Sequence, residues 1–180
     1  SSLLKRSKVR LLGNQCTFCD NNISSSDDIS VCTQCLKELP WCTQLGQTLG
    51  ELAAFYYEDP ISQYILAGKS GKSLEKLHIL GQLFNQRLTE HQQALPEALI
   101  PIPLHRKRLR KRGFNQSLEL ARPISQQFNI PILANCIDRV RDTGNQKGLN
   151  ETQRRQNMNN AFAIRTKIPY QHVAIFDDVI

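Results

Sequence analysis

Residues 173–180, VAIFDDVI, carry four apolar side chains straight into two aspartates. The run is short and holds a β-branched pair and a phenylalanine, which predicts a buried strand over residues 172–176 with Asp177 and Asp178 at its carboxyl end. Paired carboxylates there can hold a divalent cation, act as acid and base, accept hydrogen bonds from sugar hydroxyls, or simply form a charged turn. The preceding chain favours a ligand site. Residues 98–104, ALIPIPL, predict another buried strand, kept extended by Pro101 and Pro103. A basic loop over residues 105–112 follows directly, and Gly113 ends it. A helix comes next, with Phe114, Leu118, Ala121, Ile124 and Phe128 on one face and Pro123 as a kink. Residues 132–140 read as a further strand. Strands alternating with helices predict an open, parallel α/β sheet with its ligands at the carboxyl ends of the strands.

Upstream, residues 52–57 (LAAFYY) predict a strand by their aromatic content, and helices are predicted over 61–67 and 73–88. Leu74, Leu77, Leu80, Gly81, Phe84 and Leu88 form the core stripe of the second helix. The GKSGKS turn between them imitates a phosphate loop. The nucleotide-binding pattern needs a glycine five residues before Gly-Lys-Ser, and Leu66 and Gln63 stand there instead. In the polar stretch after residue 140, Asn150 with Gln153 predicts a capping box opening a short helix over 151–157. Residues 141–149 read as a long charged loop, a candidate lid.

Five of the six cysteines fall between positions 16 and 42. Cys16-Thr-Phe-Cys19 and Cys32-Thr-Gln-Cys35 are CxxC pairs twelve residues apart, the spacing of two metal knuckles that close a tetrahedral shell of thiolates around Zn²⁺. A redox dithiol needs one such pair, not two. The polar insert between them cannot order itself by burial, so a structural Zn²⁺ would supply the folding energy. Cys42 has no neighbouring partner, and Cys136 lies in an apolar run as a small core residue.

The charge is uneven. Residues 1–100 carry 9 Lys/Arg against 10 Asp/Glu, and residues 101–180 carry 14 against 6. The whole excess of +7 therefore belongs to the second half, which suits an anionic partner as well as a solvated basic surface. Six of the seven side chains from Arg106 to Arg112 are cationic. No apolar run is long enough for a membrane span, and the basic start lacks the apolar stretch of a secretory signal, so a cytoplasmic protein is expected.

These segments together resemble one family. HVAIFDDVI resembles the start of the phosphoribosyl pyrophosphate (PRPP) motif of type I phosphoribosyltransferases. CTFC…CTQCLKELPWC, YYEDP, IPIPLHRKRLRKRGFNQSLELA and RVRDTGNQKGLNETQRRQNMNNAF are similar to the ComF family of competence proteins, over about residues 14–180. The resemblance implies an α/β fold: a parallel, type I phosphoribosyltransferase-like sheet with helices on both faces (residues 46–180), preceded by a small zinc ribbon (residues 1–45). It implies that Asp177 and Asp178 bind the ribose hydroxyls of PRPP as the catalytic pair, and that a Thr/Gly-rich phosphate loop follows them. It places Leu104, His105 and Arg106 in a pyrophosphate loop, and Arg139, Thr143, Gln146, Arg154 and Arg155 in a flexible hood, with Mg²⁺ bridging the pyrophosphate. The family pattern departs at AGKSGKS, which leaves Lys69 without a role, and at Cys42, which stands where relatives carry a second cysteine group.

The implied function is DNA uptake in natural transformation, with PRPP and single-stranded DNA as ligands. Arg106, Lys107, Arg108, Arg110, Lys111 and Arg112 would track phosphates, while Phe114, or Trp41 with Tyr56 and Tyr57, would offer stacking surface. A plain phosphoribosyltransferase acting on some other acceptor is the alternative. A third reading is a non-enzymatic scaffold whose zinc ribbon docks a DNA-uptake helicase or another competence protein.

Overall fold

The computed structural model describes residues 15–23, 29–42, 50–71, 73–90, 94–143 and 150–179. The chain divides into two compact units, residues 1–39 and 40–180.

In the first unit, Gln15 and Asn22 form an antiparallel bridge around a tight turn. The turn is closed by Asp20 N–H donating to the Cys16 carbonyl at 2.8 Å, with Asp20 itself left-handed (φ 59°). Thr17 fastens this knuckle to the second one by donating from both its N–H and its hydroxyl to the Ser30 carbonyl, at 2.9 and 2.8 Å. Cys32 then caps helix α1 (Thr33–Glu38), its sulfur accepting from Cys35 N–H.

The second unit is built on a parallel pair, β1 (Ala98–Pro101) with β4 (Val173–Phe176), in the register Leu99↔Ala174 and Pro101↔Phe176. Ile132 adds one parallel rung on the other side of β1, through Leu99 N–H to the Pro131 carbonyl and Leu133 N–H to the Leu99 carbonyl. One face of this sheet, with Leu99, Ala174 and Phe176, packs with Leu88, Ala121, Ile124 and Ile130. These come from α3 (Leu74–Glu90), α5 (Gln116–Phe128) and the turn after α5. On the opposite face Ile100 is buried over β1, whereas Ile175 on β4 is 65% exposed. The helical layer expected there is therefore incomplete over β4 among the described residues.

Helix α3 approaches α5 closely at Gly81, where a Cβ would lie 2.6 Å from the Leu120 carbonyl oxygen. Leu77, Leu80, Gly81 and Leu88 of the predicted stripe are buried, while Leu74 at its start stays exposed. Helix α2 (Ile61–Lys69) precedes α3. In place of the predicted strand over residues 52–57, the chain makes a single bridge, Trp41↔Phe55, with their rings 4.6 Å apart. Pro40 has no N–H to extend that ladder.

The basic stretch after β1 is not a loop. It is helix α4 (Arg106–Arg112), capped by His105, whose Nδ1 accepts from Lys107 N–H, and ended by Gly113 at φ 87°. The strand predicted over residues 132–140 breaks into the Ile132 rung and, after a turn, β2 (Ile137–Arg139). β2 pairs antiparallel with β3 (Phe162–Ile164), which the polar sequence around it concealed. Between them lies α6 (Glu151–Met158), with the Asn150–Gln153 capping box formed in both directions. The predicted loop falls on residues 141–149, of which 144–149 lie outside the described residues. Among the described residues no helix is long and apolar enough to cross a membrane.

Candidate functional site

The four knuckle cysteines converge, with every Sγ within 4.8 Å of the others. Tetrahedral zinc, with Zn–S bonds of about 2.3 Å, separates its sulfurs by roughly 3.8 Å, and Cys19 and Cys32 stand 3.7 Å apart. Burial pushes the Cys16 thiol up, but N–H groups of Cys32, Cys19 and Phe18 aimed at the sulfur outweigh it and bring it to about 7. Burial and the neighbouring sulfurs raise Cys35. Four sulfurs at this spacing, with backbone N–H donors aimed at Cys16, suit a metal such as zinc. Cys42 does not join this cluster. Its N–H donates to the Ala54 carbonyl, and its own carbonyl accepts from Arg87. Cys136 is buried, as its apolar setting predicts.

In the second unit, β4 delivers Asp177 and Asp178 to the first turn of α5. Asn115 caps that helix and so turns Gln116 and Ser117 toward the pair. Ser117 Oγ, fully buried, donates to Asp177 Oδ1 at 2.7 Å, which also accepts Asp178 N–H at 2.9 Å. Gln116 Nε2 donates to Asp178 Oδ1 at 3.4 Å, and its own Oε1 accepts from Arg112. Lys69, the last residue of α2, forms an ion pair with Asp178 Oδ2. Burial raises the Asp177 carboxyl to about 6, with the hydroxyl of Ser117 opposing the shift and the charge of Asp178 adding to it.

Two arginines complete the surroundings. Burial pulls the guanidinium groups of Arg112 and Arg139 down, while Asp178 and Asp177 respectively push them back up. Arg139 stacks on Phe162 at 5.6 Å and donates to Thr143, and its buried Nε has no hydrogen-bond partner among the described residues. Asp142 ties the start of α4 to this arginine's strand, its carboxylate 3.4 Å from Arg108 Nε and 3.9 Å from His105 Nδ1.

The basic run is therefore sorted by its helix. Arg106, Lys107, Arg110 and Lys111 are exposed, while Arg108 and Arg112 turn inward to acidic and amide partners. Leu104 is half-buried on the way from β1 to the His105 cap. Arg155 is exposed on α6; Gln146 and the Arg154 side chain lie outside the described residues. Trp41 packs its ring against Phe55, and the Arg87 guanidinium lies over it at 5.1 Å. Lys69, Gln116, Ser117 and Asp142 are site residues that the sequence reading did not assign. The readable signal was Asn115, a cap whose first-turn neighbours had to face whatever the helix start faced.

The chain is 32% identical to "Competence protein F" of Haemophilus influenzae, covering 92% of this chain and 84% of that protein. The chain belongs to the competence protein F family. It is also 34% identical to "DNA utilization protein YhgH" of Escherichia coli O157:H7 over 83% of its length, and 28% identical to the protein of that name from Salmonella typhi. The chain spans 65% of the length of these two relatives. No family model matches it. No solved structure matches it either.

Proposed function

We propose that this chain acts in DNA uptake, as the names of its relatives suggest, and that its second unit is a phosphoribosyltransferase-like domain binding PRPP and single-stranded DNA. The observation that carries the reading is the two-sided helix α4. Four cations face outward, while Arg112 reaches Gln116 beside Asp178 and Arg108 pairs with Asp142. A row of exposed cations on one short helix suits a phosphate backbone and carries no base preference of its own.

The acid pair suits a ribose. It stands at the carboxyl end of a parallel strand beside a helix N-terminus, where open α/β sheets take ligands. Its oxygens are aimed and partly desolvated, so each hydroxyl it accepts makes a charge-assisted hydrogen bond. Arg139, with a donor unused at Nε, and the His105–Arg106 corner would then meet the pyrophosphate, which enters with its Mg²⁺. Zinc in the first unit would be structural.

Turnover is the second reading, and one feature favours it. An apolar cleft of about 1000 Å³, bordered by Phe55, Ile65, Phe84 and Ala174, reaches Asp177 and Asp178 and has room for an acceptor molecule.

Isothermal titration with PRPP and Mg²⁺ tests the sugar site. Asp178→Asn should weaken binding by roughly ten- to a hundredfold, the loss of one or two charge-assisted contacts. Unchanged binding would remove the acid pair from the site. For DNA, replacing Arg106, Lys107, Arg110 and Lys111 with Ala should flatten the log–log salt slope of single-strand binding by about 3, at roughly 0.7 per phosphate contact. A slope that does not move would make α4 a solvated surface.

A further inference from the structure

We infer that Lys69 makes the acid pair selective for phosphorylated sugars, by covering Asp178 in the empty site and accepting the ligand's phosphate when it is displaced. This inference rests on the ribose reading of Asp177 and Asp178. The Asp178 side chain is only 5% exposed, while that of Lys69 is 30% exposed, so the ammonium lies on the solvent side of the carboxylate it pairs with. The ammonium pairs with Oδ2, and no other hydrogen-bond donor reaches that buried oxygen among the described residues. A ligand hydroxyl that takes this oxygen therefore takes it from the Lys69 ammonium.

A hydroxyl arriving at Oδ2 must push the ammonium aside. A neutral sugar offers the displaced charge nothing in exchange, so the broken ion pair counts wholly against binding. A sugar bearing a phosphate gives the same ammonium a new anionic partner within reach of its flexible stem. The discrimination is therefore built into the exchange and needs no separate phosphate pocket.

The pose of Lys69 is set by packing. Gly68 allows α2 to lie against the fully buried Leu77, whose Cδ2 would be 2.4 Å from a Cβ at that position. Gly71 then reverses the chain at φ 75°, with Phe114 beside it. The GKSGKS stretch, which fails as a nucleotide-binding loop, is thus explained as two glycines that present one lysine to an acid.

Ribose and ribose 5-phosphate, titrated into the full chain by saturation-transfer NMR, test this. The wild type should prefer the phosphorylated sugar. Lys69→Met should shrink that preference by roughly tenfold, through weaker ribose 5-phosphate binding with ribose binding unchanged or improved, and Lys69→Arg should restore most of it. A parallel change in both affinities, in either direction, overturns the inference, because a lysine that only props or only blocks Asp178 treats both sugars alike. So does an undiminished preference in Lys69→Met. If Lys69→Met fails to fold, Lys69→Gln takes its place with the same expectations. A wild type that binds neither sugar defeats the ribose reading itself, and the inference falls with it.

Discussion

The cysteine cluster and the acid pair are assembled in opposite ways. All four cysteines lie within 20 residues of chain; the Cys32 sulfur accepts from Cys35 N–H in its own knuckle, and the Cys16 sulfur accepts from Cys32 N–H in the other. The acid pair draws its partners from across the fold: Ser117 is 60 residues from Asp177, Gln116 is 62 from Asp178, and Lys69 comes from another helix again. A local site stands or falls with the metal that closes it. A composite site stands or falls with the packing of the helices that carry its parts.

The largest effect should come from breaking the local site. Chelation, or Cys16→Ser, should release the bound metal and unfold residues 15–39, since structural zinc sites contribute on the order of 10 kcal/mol to folding. Hydrogen exchange should report lost protection there, with β1, α3 and α5 still protected. A first unit that stays folded without metal would erase the contrast.

Gly81→Ala attacks the composite site from a distance. Its Cβ would meet the Leu120 carbonyl oxygen at 2.6 Å and Pro123 Cγ at 2.9 Å, and the backbone oxygen cannot step aside alone. The cost should be about 2–3 kcal/mol in a thermal melt, with weakened PRPP binding and unchanged metal content. Normal stability would mean that the contact between α3 and α5 is looser than the geometry implies.

Asp177 sharpens the comparison through pH. Its carboxyl sits at about 6 in the folded chain against an ordinary 3.8. A raised folded value means that the native state takes up the proton first. This group's contribution is therefore fully favourable below pH 3.8 and is lost as pH rises through 6. Asp177→Asn should abolish that dependence and raise stability at pH 7 by about 1–2 kcal/mol, less than the full linkage because the carboxylate's bond from Ser117 is weakened. PRPP binding should run the other way, strengthening as pH rises through about 6, because sugar hydroxyls need the ionised acceptor. A flat stability profile in the wild type would deny the burial that distinguishes this carboxylate.

The smallest effect is on the outer face of α4. Lys111→Ala should lower the salt slope of single-strand binding by about 0.7 and leave both PRPP affinity and melting temperature where they were. Arg112→Ala, one residue on, should instead disturb Gln116 and with it Asp178, so its loss should register in PRPP titrations. Equal behaviour of the two variants would mean that α4 does not separate its faces.

The sequence by itself determined what depends on spacing along the chain. The CxxC pairs, the strand into Asp177 and Asp178, the Asn150–Gln153 capping box and the end of the basic run at Gly113 are all set by neighbours a few residues apart. Tertiary structure decided everything that depends on which surfaces meet. It broke residues 132–140 into a rung beside Leu99 and a separate strand, β2, that pairs antiparallel with β3. It left residues 52–57 with a single bridge to Trp41, where Pro40 has no N–H to extend the ladder. It wound the basic stretch into a helix whose like charges would repel in isolation, and held it there with the His105 cap, Asp142 and Gln116. And it chose Lys69, Gln116 and Ser117 as the partners of the acid pair. A carboxylate at the end of a strand announces itself in sequence, but what it touches is fixed by helices that reach it only after the core has closed.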